Sequence, residues 1–246
     1  MDMCRLIAYA GAGGKTSSIL EEAVRLHRMG KKVVVTTTTH MKQPEKCPEG
    51  TDRLTESPEE AEELLYAGEV VWYGHRAAEG KFSGPFPEEW IKLRRIADVI
   101  LTEADGSKRL PVKVPAPHEP VIPEYTDKII VVMGLSGLGR CVKTVCHRLS
   151  LVLELLNKDE DDVLTEEDYA ILLSEGYIKP LHRKFPACEM EIYLNQVETP
   201  TLLEAAERIG SIICQSTGSV PVRYVNYSRA LCRTGGIENY VSDYSE

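Results

Sequence analysis

Residues Leu6 to Ser17 read LIAYAGAGGKTS, and no other stretch of the chain restricts its fold as tightly. An apolar run enters three glycines within four positions, Gly11, Gly13 and Gly14; Lys15, Thr16 and Ser17 follow, and an amphipathic segment begins at once. That order predicts a strand, an anion-binding turn and a helix with nothing between them. Glycine reaches positive φ without penalty, so successive N–H groups converge on one point, and the helix N-terminus adds partial positive charge there. A phosphate suits such a cradle. Lys15 can reach terminal phosphates and the Thr16 hydroxyl can hold a magnesium ion. Gly11, Ala12, Gly13, Gly14, Lys15, Thr16 and Ser17 are therefore the candidate nucleotide-holding residues. The loop is shorter than the standard phosphate-loop pattern, with Tyr9 where the first glycine belongs, and its GAGGKT core resembles the ATP loop of the Mur-type peptide ligases.

A chain of 246 residues with 43% hydrophobic and 27% charged residues can bury the core of an α/β domain. Its formal charge of −9 argues against a nucleic-acid surface, which needs clustered cations. No apolar run approaches the roughly 18 residues that a membrane helix needs, and the apolar start ends in the glycine loop instead of a cleavage site. Seven cysteines form an odd set without zinc-ribbon spacing and read as reduced thiols of a cytoplasmic protein.

After the loop, Ile19, Leu20, Ala23, Val24 and Leu26 recur at helical spacing, and Gly30 is placed as a stop. Val33 to Val35 predict a second strand, running into Thr36 to Thr39 and His40. Open α/β sheets bind ligands at the carboxyl ends of their strands, which makes Thr38, Thr39 and His40 candidates beside the phosphates. Met41 to Pro58 and Gly74 to Pro87 read as surface loops around a short acidic helix at Glu59 to Tyr66 and a strand at Glu69 to Tyr73. A helix is expected from Glu88 to Ile96.

The core strand Val99 to Leu101 ends in Glu103, Ala104, Asp105 and Gly106. Phosphate-loop proteins keep at such a strand end the carboxylate that orients magnesium or the attacking water. Glu103 and Asp105 are thus catalytic candidates, with Glu103 a metal ligand beside Thr16. The ExxG of Glu103 to Gly106 resembles the third nucleotide motif of the metallochaperone GTPases of nickel-centre assembly. The proline-dense segment Ser107 to Pro123 cannot be helical and reads as an ordered loop. Its Lys108 and Arg109 are candidates for offsetting phosphate charge, while Lys113 reads as a solvated surface cation.

A strand at Lys128 to Met133 runs into the second glycine-rich turn, Gly134 to Arg140, which can pass near a ligand. Periodicity predicts one helix over Val142 to Leu156, which would bring Cys141 and Cys146 near one another, and another helix over Glu166 to Leu173 capped by Thr165 with Asp168. Glu191 to Val197 is a strand ending in Asn195, Gln196, Val197 and Glu198. GTPases read the base there with NKxD; here glutamine and glutamate replace the lysine and aspartate, so Asn195 and Gln196 are base-side candidates without a guanine signature. A helix from Thr201 to Ser216 and a strand at Val220 to Val225, with Asn226 to Ser228 at its edge, complete the reading.

GAGGKTS, TTTTHM, EADGSKRLPVKVPAPHEPVIP and LNQVE together resemble the YqeC family, selenium-dependent molybdenum hydroxylase accessory proteins, with the EADGSKRLP to HEPVIP block the most specific part. The resemblance implies a cytoplasmic nucleotide-binding protein that assists maturation of a selenium-dependent molybdenum hydroxylase or its cofactor. It carries Gly11, Gly13, Gly14, Lys15 and Thr16 over as the loop, and Glu103, Asp105, Lys108 and Arg109 as the acidic strand end with its basic neighbours.

The expectation is an α/β chain: a three-layer αβα, P-loop NTPase-like fold with a mainly parallel sheet, one domain over residues 1–246 with a helical insertion or subdomain at 140–190. The function expected is magnesium-dependent binding of ATP or GTP, with hydrolysis or phosphoryl transfer at Lys15, Glu103 and Asp105 and charge neutralisation by Lys108 or Arg109. The alternatives are a nucleotide-gated switch with little turnover, docking a client hydroxylase, and a kinase- or ligase-like phosphoryl transferase. Neither nucleic acid nor membrane is an expected partner.

Overall fold

Val33–Thr37 is buried along its whole length, and Val99–Glu103 along all but its last residue. Near-continuous apolar runs of this kind belong to parallel strands covered on both faces. In the computed structural model, which describes residues 4–42, 53–218 and 220–225, they are the centre of a parallel sheet. The chain divides into two units. One comprises Met1–Tyr9, Lys15–Gly106 and Val121–Lys128; the other comprises Ala10–Gly14, Ser107–Pro120 and Ile129–Glu246.

In the first unit, the strands are β1 (Arg5–Gly11, through Tyr9), β2 (Val33–Thr37), β3 (Arg53–Thr55), β4 (Val71–Tyr73) and β5 (Val99–Glu103), in the order β1-β5-β2-β4-β3. Each of these pairings is parallel, and Tyr9 and Thr37 both stand level with Glu103. Helix α1 (Lys15–Arg28) packs on β2 and β5. Helices α2 (Pro58–Tyr66) and α3 (Pro87–Ile96) cover the sheet with Ala61, Leu65 and Leu93 against Leu6, Val34, Val71 and Ile100. Each leucine, isoleucine or valine side chain so buried stabilises the fold by about 1.5–3 kcal/mol.

In the second unit, β6 (Lys128–Gly134), β7 (Glu189–Asn195) and β8 (Val222–Val225) lie in the order β8-β7-β6, with β7 and β8 parallel. Helices α4 (Leu149–Leu156), α5 (Glu166–Leu173), α6 (Lys179–Lys184) and α7 (Pro200–Thr217) accompany them, and α5 packs on α7. The α5 cap is the expected one: Asp168 N–H donates to Thr165 Oγ1 at 3.3 Å, and Thr165 N–H to Asp168 Oδ2 at 2.7 Å.

The α/β class and the parallel sheet are as the sequence predicts. Three local readings are corrected. The expected loop before Pro58 contains β3, and the expected loop Gly74 to Pro87 contains His75–Arg76 and Lys81–Ser83, which form an antiparallel sheet with His40–Lys42. Strands of two or three residues are too short to show an alternation. The single helix expected over Val142 to Leu156 is broken: one turn, Val142–Val145, is followed by Cys146–His147 pairing in parallel with Val112–Lys113, and then by Arg148 at φ 64 before α4 begins. Strand pairing has overridden helical periodicity there. Residues 43–52, Asn226 to Ser228, Cys47 and Cys232 lie outside the described residues.

Candidate functional site

The loop's backbone is fixed by its glycines. Gly11, Gly13 and Gly14 have φ of 100°, 78° and 118°. A Cβ on Gly11 would stand 2.1 Å from the Val132 carbonyl oxygen, and one on Gly13 would stand 2.3 Å from the Gly134 nitrogen. No side chain fits in either place, so the loop packs backbone to backbone on β6 and on the second glycine-rich turn. Ala12 N–H donates to Val132 O at 2.8 Å. Asn195, wholly buried at the end of β7, donates from Nδ2 to Gly13 O at 3.3 Å. The structure thus places Asn195 on the loop's backbone. Gln196, at φ 63, accepts from Ser136 Oγ at 2.6 Å, and Glu198 is exposed.

Lys15 and Thr16 open α1, and both meet carboxylates from the end of β5. The Lys15 ammonium is 3.3 Å from Asp105 Oδ1, and both side chains are buried. Thr16 Oγ1 donates to Glu103 Oε2 at 3.1 Å. Around a magnesium ion with ligands at about 2.1 Å and right angles, neighbouring oxygens stand about 3 Å apart. The Thr16–Glu103 separation fits one shared ion. Among the described residues, no group of three or more His, Cys, Asp or Glu side chains is gathered for a metal, so the remaining ligands of such an ion would be phosphate oxygens and water.

The threonine run also closes on this strand end. Thr37 Oγ1 and Thr38 N–H each donate to Glu103 O at 2.9 Å, and Thr38 Oγ1 donates to Val121 O at 2.7 Å. Ser17 is exposed on the first turn of α1, and His40 is exposed on its short strand. Lys108 and Arg109 are exposed on consecutive left-handed residues, φ 50° and 64°.

The YqeC protein family matches residues 7–150, more than half of the chain and the whole span from the glycine loop to Arg148. The chain belongs to the YqeC family. It is 31% identical over 237 residues to the uncharacterized protein YqeC of Escherichia coli (strain K12), covering 90% of this chain and 92% of that one. Among solved structures it is similar to the hydrogenase maturation factor HypB from Archaeoglobus fulgidus, with 12% identity, a TM-score of 0.43 and coverage of 92% of this chain and 83% of that one. It is also similar to HypB from Helicobacter pylori in complex with nickel, with 8% identity, a TM-score of 0.44 and coverage of 92% and 80%. No helix among the described residues of this YqeC protein is long and apolar enough to cross a membrane.

One cluster of the YqeC chain has no signature in the local sequence. Lys113, expected as a solvated cation, is fully buried, with its ammonium 2.9 Å from Glu119 Oε2. Arg148 Nη2 donates to the other oxygen, Oε1, at 2.9 Å, and Ala116 N–H donates to Oε2 at 3.1 Å. Burial alone would raise the Glu119 carboxyl; the bonds from Arg148, Lys113 and Ala116 outweigh it and bring it down to about 2. Lys113 is level with His147 across the two short paired strands, and burial, followed by the Lys113 and Arg148 cations, lowers the His147 imidazole. The strand Val112–Lys113 has two residues, too few for an alternation to mark it in the sequence. The single helix expected to carry Cys141 and Cys146 is broken between them: Cys146 is buried, which pushes its thiol up to about 12, while Cys141 donates to Glu160 O at 3.3 Å.

Proposed function

We propose that this YqeC protein binds a nucleoside triphosphate with magnesium at the Gly11–Ser17 loop, hydrolyses it, and uses that cycle to assist maturation of a selenium-dependent molybdenum hydroxylase or its cofactor. The observation that carries the reading is the pair of contacts from the first two residues of α1 to β5: Lys15 to Asp105 at 3.3 Å and Thr16 to Glu103 at 3.1 Å. A lysine at the end of a glycine loop stabilises charge on β- and γ-phosphates, and a carboxylate at the neighbouring strand end orients metal and water. In the role assigned here, Thr16 and Glu103 hold the ion, the loop amides and Lys15 hold the phosphates, and Asp105 positions Lys15 and accepts a hydrogen bond from the attacking water. The selenium-hydroxylase client follows from the family resemblance, and a cell-based assay of hydroxylase maturation in a deletion strain tests it.

The test is a panel of ATP, GTP and CTP with magnesium, following binding and phosphate release on the full chain. Saturable binding of at least one, lost on removal of magnesium and in Thr16→Ala, is expected. Equal phosphate release from the parent and Lys15→Ala proteins would sink the site.

A switch with little intrinsic turnover is the second reading. Thr38 is tied to Glu103 through its N–H and to Val121 through its hydroxyl, so a shift of Glu103 on binding an ion reaches the Pro-rich segment at Val121. Such coupling requires contacts that differ between the two states. Slow turnover that a client accelerates would favour it over the hydrolase.

A further inference from the structure

We propose that His147, Arg148 and Lys108, backed by the Lys113–Glu119 pair, form a binding site for a dianionic oxyanion, the phosphate group of a second substrate. The site lies within the second unit and does not depend on what the Gly11–Ser17 loop holds.

Its construction begins with Glu119. One carboxylate oxygen is occupied by the fully buried Lys113 and the Ala116 N–H, and the other takes Arg148 Nη2. The guanidinium is thereby fixed by one nitrogen and keeps the rest of its fork, while the Arg148 side chain remains 36% exposed against 10% for Glu119. A planar fork held from behind is the arrangement that recognises tetrahedral oxyanions with two parallel bonds.

His147 precedes Arg148 in the chain and lies level with the buried Lys113 across the paired strands. Its Nδ1 and the Arg148 Nε are both buried and make no hydrogen bond among the described residues. Buried polar atoms are nearly always satisfied, so two such atoms on consecutive residues point to a partner that the chain does not supply. The charged groups acting on the imidazole are Lys113, Arg148 and Lys108, with Glu119 the opposing carboxylate. The exposed Lys108 is a third cation whose charge acts on the imidazole.

The backbone supports the same assignment. Lys108, Arg109 and Arg148 adopt left-handed conformations that non-glycine residues seldom take, three of the six non-glycine residues with positive φ among those described. Strain of this kind persists where the surrounding structure requires it, and it gathers at ligand sites.

The experiment uses the full chain with labelled histidines and inorganic phosphate as the probe. The His147 imidazole signal is identified by its loss in His147→Gln. Phosphate is expected to shift it saturably, in the parent and in Lys15→Ala alike, and with a nonhydrolysable ATP analogue present. Lys108→Ala, a change at an exposed position, should weaken the phosphate dependence at least fivefold, and Arg148→Gln at least tenfold. Absence of a saturable shift overturns the site. Loss of the shift in Lys15→Ala, or its abolition by the analogue, also overturns it, because the phosphate sensed would then belong to the nucleotide site. If Arg148→Gln fails to fold, the Lys108→Ala comparison decides: an unchanged phosphate midpoint refutes the proposal.

Discussion

The Lys15 ammonium lies 3.3 Å from the Asp105 carboxylate, and neither side chain has appreciable contact with solvent. The carboxylate fixes where the Lys15 ammonium sits, so its position is set before any phosphate arrives. Removing it takes a buried cation from beside Asp105, a change that costs on the order of 3 kcal/mol for pairs of this kind. Lys15→Ala should therefore lose stability as well as phosphate release, with a lowered urea midpoint. Asp105→Asn should retain more stability than Lys15→Ala and still lose turnover, which separates the positioning role from the fold.

The glycines make sharper predictions. Gly11→Ala places a methyl group 2.1 Å from the Val132 carbonyl oxygen at a φ of 100°, and should cost about 3 kcal/mol or prevent folding. Gly106 is a contrast within the ExxG stretch: a Cβ there meets nothing within 4 Å. Gly106→Ala should leave stability within about 0.5 kcal/mol of the parent, as surface substitutions usually do. Paired urea titrations of the two variants check both.

Asn195 offers a way to tell loop support from base recognition. Its amide donates to Gly13 O at 3.3 Å. Loss of a buried hydrogen bond of this type costs about 1–2 kcal/mol, close to tenfold in affinity when the bond shapes the binding loop. Asn195→Ala should therefore weaken ATP and GTP by the same factor. A loss confined to one nucleotide, measured by parallel titrations, would return Asn195 to the base.

Glu119 gives a pH prediction. Its carboxyl falls from 4.5 to about 2 in the folded chain, so the unfolded chain binds its proton more readily. The stability it contributes is fully present above pH 4.5 and is lost as pH falls from there towards 2. At about 1.4 kcal/mol per tenfold change in proton affinity the full effect would be about 3.4 kcal/mol, and screening by the solvent that reaches the site reduces it to about 2 kcal/mol. Unfolding free energies measured at pH 6 and pH 3 should differ less in Glu119→Gln than in the parent. Equal pH dependence in the two proteins would contradict the Lys113–Glu119–Arg148 arrangement.

The elements that carry the loop were legible because their signals are local. Apolar runs at Val33 to Val35 and Val99 to Leu101 announced buried strands, Gly30 ended α1 with φ 74, and Thr165 with Asp168 capped α5. Thr16 and Glu103 were expected together, and they are 3.1 Å apart. The helix over Val142 to Leu156 misled, because its periodicity is real but Cys146 and His147 find better backbone partners in Val112 and Lys113. Nothing near position 146 in the sequence signals that competition.

By itself, then, the sequence determined the loop, the carboxylate-bearing strand end and the parallel α/β class. Backbone freedom at glycine, the spacing of apolar residues and helix capping are properties of short stretches. Only the tertiary structure decided which charges are buried and what they face: Lys113 against Glu119, Arg148 on the carboxylate's other oxygen, and Asn195 on Gly13 across 182 positions of chain. The cost of burying a charge or an amide is set by the partners that folding brings to it, and those partners lie beyond the reach of any local pattern.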